Sequence, residues 1–390
     1  KISSFLYKDK KIIICDPYIK YDNIKNNLKL YFKTKGKVVF DNLTYKVNIK
    51  YKMNDSYRNK MLKIKNSNSI EEILFQLIMA NIPIVFLEGF QEYSSNVKKY
   101  KHLNFKKIMT GQSLHMNTFF KFYCSLHNVN IYAIQHGGGY GISENAKYTV
   151  EKREKAVSRI FFNYGFENNE NSIPLKVPIP EVNNTTISKT KILFTINTSP
   201  RFIRKFQDHY PGNLRIPQLE NNLIFLKSID SRFQIIVRTV NSNTSKWNEK
   251  DYLLENLTFH KNIIFDDFSK TFSTRMNESK LFITDHLGTS YLESLALNIP
   301  TIIIYEVKFN LLRDEAKSYF NDLKKVGILF EDSMQAAKFI NNLDIDNWWN
   351  SESLQKIRKS FIKKFINTDK NWIIDWVSKI DMIYKDTELS

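Results

Sequence analysis

Short runs of β-branched and aromatic residues recur along this chain with helix-length stretches between them, and they are apolar at successive positions rather than alternate ones. Such strands are buried on both faces. They are expected at 11–15, 82–87, 107–110, 130–134, 159–163, 191–195, 234–240, 262–265, 281–284 and 301–305, with a shorter one at 327–330. Alternation with helices then requires parallel sheets of the βαβ kind, an α/β fold. The stretch 167–190 is polar and proline-containing with no period, and it divides the series in two as a linker would. A chain of 390 residues also exceeds what one core usually supports. The expected organisation is an N-terminal domain at 1–170, a linker at 171–190, a second domain at 191–350 and a helical tail at 351–390. In that tail Leu354, Ile357, Phe361, Phe365 and Ile366 fall on one side of a helix. Trp348, Trp349, Trp372 and Trp376 surround it, either as a structural anchor or as a stacking platform.

Lysine and arginine outnumber aspartate and glutamate by 58 to 40, a formal charge of +18. Something anionic is expected nearby: nucleic acid, a membrane surface or phosphorylated substrates. The basic residues are scattered, and runs such as Lys98-Lys99-Tyr100-Lys101 read as solvated faces, so no nucleic-acid partner is expected. Cys15 and Cys124 cannot build a disulfide framework, which implies a reducing compartment. The most apolar stretch, 70–90, is broken by Glu71, Glu72, Gln76, Asn81 and Glu88 and cannot cross a bilayer as a clean run of about 20 residues. No secretory signal is visible, which points to the cytoplasm. The first residue is Lys, and further residues are expected upstream. His115, His209 and His260 lack metal-ligand spacing, so neither a metal nor another cofactor is expected.

Three segments carry the candidate chemistry. The strand at 130–134 ends at Gln135 and empties into His136, Gly137, Gly138, Gly139, Tyr140 and Gly141. Glycines there permit positive φ and close approach of the backbone to a ligand, at the strand end where open α/β sheets bind substrates. His136 is either a base or phosphate ligand, or a hydrogen-bonded histidine in a tight turn. In the second segment a strand ends at Thr284, and Asp285, Gly288, Thr289 and Ser290 lead into a helix that carries Glu293. Free amides at a helix start can cradle a phosphate. The Ser290 and Glu293 spacing equally suits a capping box. Third, the apolar run 83–87 ends in Glu88-Gly89 and places one carboxylate at a sheet rim, as a catalytic group or as a helix cap. Arg238, at the end of 234–237, can pair with a phosphate or sugar carboxylate, or with a nearby acid. Glu151 and Glu154 follow the glycine loop among Lys152, Arg153 and Lys155, and are expected to face water.

The strand-to-helix segment resembles the nucleotide-binding half of GT-B glycosyltransferases. Gln135-His-Gly-Gly-Gly-Tyr-Gly141, Glu151 with Glu154, Phe162-Asn-Tyr-Gly-Phe166, Ile236-Val-Arg238, Asp285 with Thr289-Ser-Tyr-Leu-Glu293, Asn298-Ile-Pro-Thr301, Trp348-Trp349 and Asn371-Trp372 extend the likeness. As a set they are similar to a family of bacterial surface-polysaccharide transferases, itself similar to transferases of ulosonic acids such as Kdo. The resemblance covers roughly residues 82–378. It implies two Rossmann-like domains facing across a cleft, with the C-terminal helix returning to the N-terminal domain. It also implies metal-independent transfer of an ulosonic or nonulosonic acid from a CMP-activated donor to a glycan acceptor, lipid-linked at the inner face of the cytoplasmic membrane. Glu88 and His136 would be catalytic, Gln135, Gly137, Gly138, Gly139 and Tyr140 would meet acceptor and sugar, and Arg238, Asp285, Gly288, Thr289, Ser290 and Glu293 would hold the nucleotide. The strand ending in Glu88 is similar to the nucleophile strand of retaining Kdo transferases, which carries Asp where this chain has Glu, and it implies retention. Arg238-Thr239 stands where many GT-B enzymes carry His-Pro. Two other readings remain: a CDP-glycerol or CDP-ribitol type polyol-phosphate transferase, and a basic binding protein for nucleic acid or polysaccharide without turnover.

Overall fold

A computed structural model describes residues 12–17, 24–62, 69–112, 114, 117–178, 190–197, 212–239, 248–306 and 311–386. Two compact units emerge, one from Lys1–Tyr18, Asn27–Tyr132 and Ile380–Ser390, the other from Ile19–Asn26 and Ala133–Lys379.

The first sheet has the order β2-β1-β3-β4-β5-β6, built from β1 (Ile12–Cys15), β2 (Val38–Phe40), β3 (Lys107–Thr110), β4 (Asn130–Ile134), β5 (Ile160–Asn163) and β6 (Ser172–Pro174). The division between the units runs through β4. All four residues of β1 are buried, as an apolar strand flanked on both faces must be. Parallel register pairs Ile12 with Val38 on one side and with Lys107 on the other. The helices of this part are α1 (Ile24–Lys33), whose first three residues fall in the second unit, α2 (Asp55–Leu62), α3 (Ile70–Asn81), α4 (Phe90–Lys98) and α5 (Thr118–Leu126). Asn117 starts α5: its side chain accepts the Phe120 amide proton at 3.0 Å while its own amide donates to the Asn42 and Leu43 carbonyls. Cys15 and Cys124 are buried, and burial pushes the Cys124 thiol well up.

The strand expected at 82–87 does not form. Pro83 follows α3, and Ile84–Phe86 make a single 3-10 turn. The amides of Leu87 and Gly89 both return to the Ile84 carbonyl, at 3.1 and 2.9 Å, so the donors a sheet would need are spent locally. Sequence reading also passes over β2, which is only three residues long. Part of the stretch taken as linker is likewise ordered. Ser172–Pro174 closes the sheet edge as β6, where proline costs no ladder bond, and β7 (Val177–Pro178) pairs with β14 (Thr368–Asp369).

The second sheet lies wholly in the second unit, in the order β10-β9-β8-β11-β12-β13. Its strands are β8 (Lys191–Thr195), β9 (Ile235–Arg238), β10 (Ile263–Phe265), β11 (Ser279–Thr284), β12 (Thr301–Ile304) and β13 (Leu329–Phe330). The chain winds outward from β8 to β10 and then restarts on the other side at β11, so the order reverses between β8 and β11. Such a reversal opens a crevice at the carboxyl ends of the two strands. The unit's helices are α6 (Lys152–Val157), α7 (Gly212–Ser228), α8 (Glu249–Asn256), α9 (Phe272–Glu278), α10 (Thr289–Ala296), α11 (Asp314–Lys325), α12 (Ser333–Asn341), α13 (Ile345–Trp349), α14 (Glu352–Phe365) and most of α15 (Trp372–Lys385). Leu219, Phe225 and Leu226 of α7 pack with Ala337 and Ile340 of α12 on one face of the sheet.

Three of the four tryptophans around the tail are anchors. Trp348 Nε1 donates to the Val326 carbonyl, Trp349 Nε1 to Asn298, and Trp376 Nε1 to the Lys176 carbonyl at 2.9 Å. From Ile380 onward the tail belongs to the first unit. There Lys107 Nζ donates to the carbonyls of Ile383, Tyr384 and Asp386 at the negative end of α15, and Lys37 pairs with Asp381 at 2.6 Å. Two Rossmann-like parallel sheets with a returning C-terminal helix are the architecture expected from the sequence.

Candidate active site

Gln135 ends β4 and is fully buried. Its Oε1 accepts the Tyr164 amide proton at 2.8 Å and its Nε2 donates to the Gly137 carbonyl at 2.9 Å. The side chain thus ties the β5 end to the glycine loop. Its amide serves the fold instead of a ligand.

The four glycines of the loop divide into two kinds. A β-carbon on Gly138 would stand 2.2 Å from the Gly288 carbonyl oxygen and 3.0 Å from the Thr289 nitrogen. Gly141, at φ +70°, would push a β-carbon within 2.3 Å of the Phe166 ring. Both are required by packing within the chain. Gly137 and Gly139 would meet nothing closer than ordinary van der Waals distance, so theirs is the backbone a ligand can approach.

Tyr140's hydroxyl donates to Glu154 Oε2 at 2.9 Å and stands 3.1 Å from His136 Nδ1 and 3.4 Å from Nε2. Glu154 Oε1 lies 3.4 Å from the same Nδ1. Having given its proton to Glu154, Tyr140 can only accept from the imidazole, and both neighbours of Nδ1 then favour a proton there. That leaves the ring's lone pair on Nε2, the tautomer a general base needs. Glu154 was expected in water, yet it is buried, as is Glu151. Ala146, Val150, Glu151 and Glu154 share one helical face and are all buried, and Lys147–Glu151 form a π turn ahead of α6. Glu151 pairs with Arg313 and with Lys155 and accepts the Gly141 amide proton. Backbone bonds between Arg313 and Ile142 and between Glu144 and Leu311 bind the loop after the glycines to the segment after β12.

At the reversal point of the second sheet Asp285 is buried and fully engaged. Its Oδ1 accepts the Asn197 amide proton at 2.7 Å, and its Oδ2 takes Gln218 Nε2 at 3.1 Å and Asn222 Nδ2 at 2.8 Å. Expected as a nucleotide ligand, it fastens the ends of β8 and β11 to α7. His286, which sequence reading passed over, sets Nδ1 3.1 Å from both Asp285 Oδ1 and Thr284 Oγ1. Helix α10 begins at Thr289 with Gly288 as its cap residue, so no capping box forms on Ser290, whose hydroxyl is buried without a partner among the described residues. Gly288 offers no side chain to the first amides of α10, the arrangement that suits an incoming anion. Glu293 is largely buried one turn on.

Arg238 is aligned with Thr195 at the carboxyl edge of the same sheet. It pairs with Asp266, which Arg275 also holds, and lies 4.8 Å over the Phe268 ring. Glu88, in the first unit, is held by Arg58 Nε at 2.7 Å and Nη2 at 2.9 Å and accepts the Asn54 amide proton. The guanidinium holds its carboxyl down at about 2. Arg58 also donates to the carbonyls of Met79, Ala80 and Ile82 at the end of α3. The structure therefore joins His136, Tyr140 and Glu154, sets Gly138 against Gly288 and Thr289, and gives Arg238 and Glu88 ion-pair partners of their own. Ala146, Val150 and Glu154, recurring every four residues, were the available sign that Glu154 faces inward. His115 and His209 lie outside the described residues. No three His, Cys, Asp or Glu side chains among the described residues are grouped so as to hold a metal ion.

No curated protein matches this sequence. Among solved structures, the S. aureus MnaA–UDP complex is similar at a TM-score of 0.51 with 11% identity, covering 96% of each chain. A glycosyltransferase from Rickettsia africae ESF-5 aligns over 98% of this chain and all of its own at 14% identity and a TM-score of 0.47. The wall teichoic acid polymerase TagF, soaked with CDPG, aligns over 98% of this chain and 90% of its own, at 13% identity and a TM-score of 0.46. The fold is GT-B. Residues 1–380 match the family described as LIC12162 family transferase, and the chain belongs to that transferase family.

Proposed function

We propose that this transferase moves an ulosonic or nonulosonic acid from a CMP-activated donor to a glycan acceptor. The observation that carries the reading is the glycine loop: it holds the His136, Tyr140 and Glu154 cluster while Gly138 abuts the first amides of α10. A base and an anion-binding helix start thus belong to one packed assembly. The acceptor hydroxyl gives its proton to His136 as its oxygen bonds to the anomeric carbon. The bond to the CMP phosphate breaks, and the departing charge falls to the amides of Thr289 and Ser290. Glu88, engaged by Arg58, is read as a scaffold carboxylate, and the transfer is read as inverting. The resemblance of the motif set, Gln135 to Gly141 among it, to a family itself similar to ulosonic-acid transferases supports the donor class.

The test has two stages. CMP, CDP, UDP and GDP are compared for thermal stabilisation, where CMP should raise the melting temperature most. Release of CMP from CMP-activated acids is then followed, with the anomeric configuration of the product. Preferential stabilisation by CDP together with turnover of a CDP-linked polyol would replace the donor assignment, and a retained configuration would replace the mechanism.

A further inference from the structure

Helix α3 turns its apolar side outward. Ile70, Ile73, Leu74, Leu77 and Ile78 follow the i, i+3, i+4, i+7, i+8 spacing of a single helical stripe, and each is between 53 and 72% exposed. Glu72 and Met79, seven residues apart on the opposite side, are the buried ones. A globular helix shows the reverse arrangement, because the apolar stripe is what packing covers. The helix is nonetheless firmly fixed: Ser69 caps its start, and the Arg58 guanidinium holds the carbonyls at its end. Helix α1 repeats the pattern with charge added. Ile24, Leu28 and Phe32 are 50 to 80% exposed, and the exposed Lys25, Lys29 and Lys33 each follow one of them directly.

We propose that α3 and α1 each dock on an anionic phospholipid membrane. Among the described residues no helix is long and apolar enough to cross one. A twelve-residue helix with an apolar stripe suits lying in the headgroup plane; α3 itself carries Glu71 and Glu72 and no basic residue, so the attraction to acidic lipid comes from Lys25, Lys29 and Lys33 of α1. The formal charge of +18 favours such a surface over a second, equally positive copy of the chain. This proposal does not depend on the donor or on the mechanism.

Sedimentation with vesicles tests it on the full chain. Native protein should bind phosphatidylglycerol-containing vesicles and bind pure phosphatidylcholine about tenfold more weakly or worse. Ile73→Glu with Leu77→Glu should lose binding by about tenfold or more, and Ile73→Ser with Leu77→Ser, which adds no charge, should also lose it. Lys25→Glu, Lys29→Glu and Lys33→Glu together should remove the preference for acidic lipid. All variants should keep the native response to CMP in thermal shift, which separates this proposal from the donor reading. Failure of the native protein to bind acidic vesicles, or undiminished binding by both α3 variants, overturns it. So does light scattering that finds a native dimer which either α3 variant converts to monomer.

Discussion

The backbone of Gly138 lies so close to that of Gly288 that no side chain fits between them. Alanine at 138 must drive the glycine loop off the start of α10, at a cost of about 1–3 kcal/mol or more. We expect Gly138→Ala to lower stability and to remove nearly all turnover. Gly139→Ala has room for its β-carbon and should unfold like the native protein. Denaturant titration of the two variants, read beside their rates, checks both expectations.

Loss of the imidazole in His136→Ala should slow transfer by about 10²- to 10⁴-fold while donor affinity stays near native. Glu154→Gln keeps the shape but not the charge that favours a proton on Nδ1, and should be affected less. It should also move the acid limb of kcat/KM to lower pH, since an imidazole without its carboxylate partner is protonated less readily. A pH–rate profile for each variant reads this directly.

For Glu88 the expectation concerns stability under acid. Arg58 lowers its carboxyl to about 2 in the folded chain, while an unfolded glutamate titrates near about 4.3. A depressed folded value means that the stabilisation is complete above the unfolded value and fades as pH falls through the interval toward 2. Melting temperature measured from pH 6 to pH 2 should therefore fall more steeply in the native protein than in Glu88→Gln. The variant should start lower at neutral pH and converge with the native curve in acid. It should retain turnover when folded, and loss of turnover without loss of stability would restore a chemical role.

Asp285→Ala leaves the Asn197 amide and the side-chain amides of Gln218 and Asn222 without their acceptor. Each buried donor left unpaired costs about 1–3 kcal/mol. We expect a large drop in stability together with weaker CMP binding, the second following from the first. Asp285→Asn, which restores one acceptor, should fall between. Calorimetric melting with and without CMP separates the two effects.

The sheets were legible because apolar runs such as Ile12–Cys15 and Leu281 to Thr284 are buried on both faces wherever the helices lie. The same signal failed at 82–87, where Pro83 and a returning Ile84 carbonyl consumed the backbone that the apolar pattern seemed to promise to a sheet. Within the site, the chain positions of His136, Gly138 and Gly288 could be picked out from strand ends and glycine. What each side chain does there could not. Asp285 and Gln135 look like ligands in a linear sequence, since nothing local reveals that Asn222 or Tyr164 will meet them. Glu154 looks like a solvated charge because Lys152, Arg153 and Lys155 surround it in the sequence.

Arg58 grips α3 by the carbonyls of its last turn, atoms that every residue type possesses. Attachment through main chain makes no demand on the identity of the residues at 70, 73, 74, 77 and 78. Those five positions are therefore open to drift without loss of the fold, and exchanging them wholesale should leave the melting temperature near native.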